Sequence, residues 1–157
     1  MNGKIVAGAI VISGLVAGVA MYWLQVYAFY EPVAFTPGAE IKLTPITGDS
    51  PEVIVADDVQ GIDAGSSPLR FRACFTTPLS QALLTETYRV YDAAEPLIAP
   101  GWFGCFDATR IGDALQTGEA IAFLSEPEIA PGVDRVVAVF PDGQAFAWHQ
   151  LNATYKD

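Results

Sequence analysis

The chain has 157 residues, with 18 acidic and 8 basic side chains and a formal net charge of −10 at pH 7. This length suits one domain of ordinary size. The acidic balance excludes nucleic acid as a partner, because phosphate contacts require Lys and Arg, and it favours a partner with a basic surface.

The N-terminal part contains an uncharged apolar segment, Ile5–Tyr27, which lies between Lys4 and Glu31. At roughly 1.5 Å per residue, a helix of this length crosses a bilayer core of about 30 Å. All acidic residues and all basic residues except Lys4 follow the segment. The positive-inside rule therefore predicts cytosolic residues 1–4, a transmembrane helix over residues 5–29 and the remaining chain outside.

A cleaved signal peptide is the alternative interpretation of this segment. Gly18-Val19-Ala20 has the small residues of a cleavage site. However, the apolar run continues through it into Met21–Leu24, and the apolar region of a signal peptide is only about 7–15 residues long. The sequence therefore favours an uncleaved anchor.

Two features of the predicted helix point to its surroundings. An aromatic belt, typical of the membrane–water interface, is formed at its outer end by Tyr22, Trp23, Tyr27 and Tyr30. Small residues four positions apart form two stripes that let helix backbones approach closely, namely Ala9, Ser13 and Ala17, and the GxxxG pair Gly14 and Gly18. The sequence predicts that this helix packs against an inner-membrane protein or complex, or against a copy of itself.

After a linker over residues 30–38, the pattern predicts one α+β domain over residues 39–157. Alternating or β-branched runs predict the strands, and the last two are joined by the hairpin turn Pro141-Asp142-Gly143. The predicted strands are Glu40–Leu43, Glu52–Ala56, Leu69–Thr76, Ala120–Leu124, Val133–Phe140 and Gln144–Leu151.

Two short helices are predicted between these strands. The first begins at Pro78 with Thr76 or Thr77 as its cap and continues to about Tyr88, and the second, Ala108–Gln116, is capped by Asp107 and ended by Gly118. Residues 57–68 are predicted to be turns, and residues 92–104 to be irregular. The element order predicts a mainly antiparallel sheet.

Four segments, WLQVYAFYE, SSPLRFRACF, APGWFGCFDA and GVDRVVAVFPDGQAFAWHQLN, resemble a family of small, single-pass, membrane-anchored proteins of alphaproteobacteria. The resemblance spans nearly the whole chain and implies a bacterial inner-membrane protein with a periplasmic domain, without implying a mechanism. Some family members carry a histidine-kinase description. This sequence does not support it, because its single histidine lies in a strand pattern and no length remains for an ATP-binding domain.

Cys74 and Cys105 are the only cysteines, and an even number in an oxidising compartment predicts a disulfide. Two alternatives stay open: two separate structural thiols, or a reactive thiolate. Strict alternation places Cys74 on the strand face of Arg70 and Arg72, where positive charge would lower the pKa of a free thiol.

Other candidate sites are weaker. His149 could pair with a cysteine or a carboxylate, but a lone histidine is more often a structural hydrogen-bonding group. Asp57, Asp58 and Asp63 could bind Ca²⁺, but they lack EF-hand spacing, and a solvated acidic loop is the simpler interpretation. The sequence contains no GxSxG, HExxH, Walker or GxGxxG motif. We therefore expect no metal, no cofactor and no small-molecule ligand.

Aromatic residues outside the helix could form an exposed docking patch. Its centre would be Trp102 and Phe103, with Phe106 and Trp148 as further candidates. Most of these residues could equally belong to the core.

The leading functional hypothesis is a non-enzymatic accessory protein, anchored in the inner membrane, whose acidic domain docks on a partner assembly. Alternatives are a ligand-binding or sensing module, with a pocket at Trp102, Phe103 and Trp148, and a thiol-dependent enzyme.

Overall fold

The computed structural model describes residues 2–155. The chain begins with helix α1, Gly3–Trp23, which continues into a π-helical turn, Leu24–Ala28. Together they form an apolar helix of 26 residues, none of which is buried. This helix is long and apolar enough to cross a membrane, a property that signal sequences share.

The remaining chain forms the expected α+β fold. The strands are β1 Glu31–Pro32, β2 Ile41–Leu43, β3 Glu52–Ile54, β4 Asp57–Asp63, β5 Arg72–Thr76, β6 Ile121–Ala130, β7 Val133–Val139 and β8 Gln144–Leu151. The helices are α2 Gln81–Thr87 and α3 Ala108–Thr117, and a 3₁₀ turn, Ala153–Tyr155, follows β8.

Six strands form one antiparallel sheet in the order β1-β4-β5-β8-β7-β6. The other two, β2 and β3, form a separate antiparallel hairpin. The last strand of the chain, β8, pairs with β5 on one side and β7 on the other, so it lies inside the sheet.

Both faces of the sheet are covered, which explains why β5, β7 and β8 are almost continuously buried. The β2–β3 hairpin and α2 pack on the face that presents Phe71, Ala73 and Phe75. Helix α3 and the segment before it pack on the face that presents Cys74 and Trp148. The alternation predicted for the strand that contains Cys74 is therefore correct, but the face of β5 that carries Cys74 is buried as well as the face that carries Phe71 and Phe75.

The prediction of turns over residues 57–68 was wrong at its start, because Asp57–Asp63 forms β4. Only Ile62 of this strand is fully buried, and the strand contains a bulge, with Asp58 at φ 53°. Polar residues are expected in such a strand, so its composition resembles that of a loop. Within the predicted linker, Glu31 and Pro32 form β1 and pair with the end of β4.

Smaller differences concern the ends of elements. Helix α2 begins after Ser80, whose hydroxyl accepts a hydrogen bond from the Leu83 N–H, rather than after a threonine. Strand β6 continues past Leu124 to Ala130 as an edge strand with register shifts, where a proline is tolerated. Helix α3 is capped by Asp107 and ended by Gly118, with φ 78°, as predicted.

Candidate functional site

The outer end of the N-terminal helix is fastened to the domain by two side chains. The Arg70 guanidinium donates a 2.9 Å hydrogen bond to the carbonyl oxygen of Gln25, and the Trp102 indole donates one of 2.6 Å to that of Val26. The last carbonyl groups of a helix lack partners further along the helix and carry partial negative charge. At this junction the Arg70 guanidinium and the Trp102 indole supply the missing hydrogen-bond donors, and the guanidinium also supplies a positive charge.

Aromatic contacts surround these two hydrogen bonds. Trp102 stacks on Tyr27 with ring centroids 6.3 Å apart and meets Tyr30 edge-on at 5.9 Å. The Arg70 guanidinium lies over the Tyr30 ring, 5.4 Å from its centroid. Part of the predicted aromatic belt therefore contacts the domain, whereas Tyr22 and Trp23 remain exposed.

The segment that carries Trp102 is held against the sheet at two points. Cys74 and Cys105 form the predicted disulfide, with Cα atoms 6.3 Å apart. The buried Arg72 guanidinium donates hydrogen bonds to the carbonyl oxygens of Leu97 and Ile98. The segment is thus irregular, as predicted, but fixed in place.

Arg72 is a buried cation that interacts with main-chain carbonyls. It also donates to the carbonyl oxygens of Leu69 and Phe71. Burial lowers its pKa to about 10, so it stays charged at neutral pH. Because both cysteines are in the disulfide, Arg72 does not activate a free thiol, and its role is to position residues 97 and 98.

His149 is a structural residue in this geometry. Its Nδ1–H donates to the carbonyl oxygen of Pro68 at 2.7 Å, and its Nε2 accepts a hydrogen bond from Arg135 Nε at 3.0 Å. The ring stacks on Phe71, and Arg135 forms an ion pair with Glu126. Burial lowers the pKa of His149 to about 4, and the positive charges of Arg135 and Arg72 contribute.

A second polar cluster joins β6, β7 and β8. The buried Asp134 accepts hydrogen bonds from the Tyr91 hydroxyl, the Glu128 N–H and the Asn152 amide. The pKa of the Tyr91 hydroxyl is raised by burial and by the neighbouring Asp134 carboxylate. The cluster is fully hydrogen-bonded within the protein and holds the edge strand in place.

The acidic residues considered for Ca²⁺ lie along β4 rather than in a loop. Between residues 2 and 155 there is no group of three or more His, Cys, Asp or Glu side chains placed to hold a metal ion. Asp57 and Asp63 occupy opposite ends of the strand, paired with Thr76 and Glu31.

The candidate aromatic patch divides into core and surface. Phe106 and Trp148 are buried, with Trp148 completely inaccessible, so it cannot line a pocket with Trp102 and Phe103. Phe103 is half-buried against the core that contains Trp148, whereas Trp102 is 43% exposed. Trp102 is therefore the residue of this set that lies at the junction with the helix.

Sequence reasoning missed the partners of the helix end. It assigned Arg70 and Arg72 to the chemistry of Cys74, although Arg70 contacts the helix and Arg72 holds residues 97 and 98. A usable signal was present, because two of the few basic residues of the chain lie two positions apart in one predicted strand. Which carbonyl groups they contact depends on tertiary packing.

Comparison with known proteins identifies the family of the domain. No curated protein and no solved structure matches the chain. A family model matches residues 41–157, which begin at β2 and include both helices of the domain and the sheet from β4 onward. The match leaves out the apolar helix and β1. The chain belongs to DUF6446, a family of unknown function.

Proposed function

We propose that this chain is a non-enzymatic interaction protein anchored in a bacterial inner membrane, with a cytosolic N-terminus and a periplasmic domain. Its helix packs against an inner-membrane protein or against a copy of itself, and its acidic domain docks on the same assembly. The observation that carries the proposal is the junction, where Arg70 and Trp102 bind the last turn of the helix. A partner that binds the helix then receives the domain in a defined orientation.

The surface of the helix supports this role. None of its residues is buried, and large side chains such as Ile10 and Val19 are 68% exposed, so lipid or another helix must cover them. A Cβ atom added at Gly14 or Gly18 would meet no atom within 4 Å. These glycines therefore serve no packing role against residues 2–155, which is consistent with a role in contact with another helix.

The disulfide supports the proposed side of the membrane, because disulfides persist in the periplasm and are rare in the cytosol. The two alternative functions have less support. A thiol-dependent enzyme needs a free thiolate, and both sulfurs are in the bridge. An aromatic ligand pocket that includes Trp148 is closed by its burial.

The test is the particle size of the full chain, extracted from its native membrane in mild detergent. We expect a complex larger than the monomer, and we expect Gly14→Leu with Gly18→Leu to reduce it to the monomer by preventing close helix approach. The matched control, Ile12→Phe with Val19→Phe, adds bulk on the side of the helix away from both small stripes and should leave the complex intact. A monomeric wild type, or a complex unaffected by the glycine variant, would contradict the proposal.

A further inference from the structure

An open groove of about 500 Å³ lies where the helix meets the domain. Tyr22, Gln25 and Tyr30 line it on the helix side, and Arg70, Arg72 and Ile98 line it on the domain side. Its volume falls within the range of about 300–1,000 Å³ that is usual for small-molecule sites. The groove extends from Tyr22, within the apolar helix, to Arg72 at the start of β5 and to residues 97–101 of the segment before α3.

The groove concentrates positive charge in an acidic protein. Two of the eight basic residues, Arg70 and Arg72, line it. Within residues 2–155, the ion pairs are formed by Lys42, Arg89 and Arg135, so neither groove arginine is in a direct ion pair there, and the Asp63 carboxylate acts on Arg72 only from a distance. A guanidinium has five N–H donors, and Arg70 uses one of them for Gln25. The groove therefore complements an anion.

One side of the groove is an exposed apolar loop. The Ile98 side chain is 84% exposed, and the neighbouring residues Leu97, Ala99 and Pro100 also line the groove. The loop is fixed, because Arg72 donates to the carbonyl oxygens of both Leu97 and Ile98. A fixed isoleucine with this exposure is unfavourable in water, so an apolar surface is expected to cover it.

We propose that this groove seats a phospholipid from the periplasmic leaflet, with its phosphate against the Arg70 guanidinium and its acyl chains along Leu97 and Ile98. This inference rests on the proposed membrane anchoring of the helix. Counted from Ile5, the roughly 20 helical residues that cross a bilayer core of about 30 Å end near Leu24, so Tyr22 lies close to its outer border and the groove opens at the depth of the lipid phosphates. A lipid supplies both the anion and the apolar chains at that depth.

The first test is native mass spectrometry of the full chain in detergent, titrated with phosphatidylglycerol. We expect one retained lipid per chain. Arg70→Gln should raise its dissociation constant roughly tenfold, the loss expected for one charge-assisted hydrogen bond. Arg110→Gln is the matched control, because Arg110, like Arg70, lies over an aromatic ring and donates one hydrogen bond. Its partner is Gln144, at the end of β5 and β8 opposite to Arg70. Equal lipid binding by both variants would overturn the proposal.

The second test locates the lipid. The full chain carries photoreactive p-benzoylphenylalanine at Ile98 or, as the control, at Leu83, which is 48% exposed on α2. After reconstitution in phosphatidylglycerol vesicles and illumination, we expect lipid adducts at position 98 and few at position 83. Equal adducts at both positions, or a protein adduct instead of a lipid adduct at 98, would overturn the proposal. Release of the wild-type chain from vesicles by alkaline carbonate would instead contradict the anchoring itself.

Discussion

His149 shows how burial decides the role of a titratable residue. Its two ring nitrogens have one acceptor and one donor as partners, Pro68 O and Arg135 Nε, so only the neutral ring with the proton on Nδ1 satisfies both. A charged ring would place a proton against the Arg135 guanidinium. The sequence offered His149 as a candidate base, and its environment instead makes it a neutral connector between β8, β7 and the turn before β5.

We predict that His149 makes the stability of the domain depend on pH. Its pKa is about 4 in the folded state and 6.5 in the unfolded state, so the unfolded state binds more protons between these values. The resulting stabilisation is complete above pH 6.5 and is lost as the pH falls towards 4, by at most about 3 kcal/mol. Urea unfolding at a series of pH values should show this loss.

The control for this prediction is His149→Gln, which cannot gain a proton. The remaining pH dependence, from carboxylates, is common to both proteins, so the difference between their stability curves isolates the histidine. Parallel curves between pH 6.5 and pH 4 would show that His149 is not the responsible group.

At the scale of elements, the disulfide and Arg72 together hold a segment that has no regular structure of its own. The segment from Tyr91 to Phe106 covers one face of the sheet, and Cys105 lies 31 residues after its partner. In the chain-entropy model, a bridge that closes a loop of this length stabilises the folded state by roughly 3–4 kcal/mol.

We predict that Cys74→Ser with Cys105→Ser destabilises the domain by roughly 2–5 kcal/mol. Amide hydrogen exchange should increase first at residues 97–103, since these depend on the bridge and on Arg72, and least in β7 and β8. The helix before its last turn should be unaffected, because its backbone hydrogen bonds are internal. An unchanged urea midpoint, or uniform acceleration of exchange, would contradict this interpretation.

The elements that could be predicted from the sequence are those with a strong local signal. Strands β7 and β8, their turn, helix α3 and its cap all follow from apolar pattern and turn chemistry. Strand β4 could not be predicted, because most of its residues are polar, only Ile62 is fully buried, and its pairing with β5 is a tertiary property. The groove could not be predicted for the same reason: Arg70, Gln25 and Ile98 meet only after folding.

At the scale of the whole molecule, the proposed topology has a direct test. A reporter active only in the periplasm, fused after Asp157, should be active, and a reporter active only in the cytosol should be silent at the same position. The physical reason is that Lys4 is the only charged side chain before the apolar segment Ile5–Tyr27 and all acidic residues follow that segment. The reverse result would place the cysteines in a reducing compartment, where the disulfide would not persist.

The position of β8 inside the sheet has a consequence for how the domain is made. Strand β5 pairs with β8 across about seventy intervening residues, so the two halves of the sheet join only after β8 has been synthesised. Pairings of such long range form slowly, and until then β5 and β7 each expose an apolar edge on which chains can aggregate. We therefore expect completion of the sheet to lag behind synthesis of β5 and to depend on protection of the partly folded chain, with amide protection of β5 in pulse-labelled hydrogen exchange marking its progress.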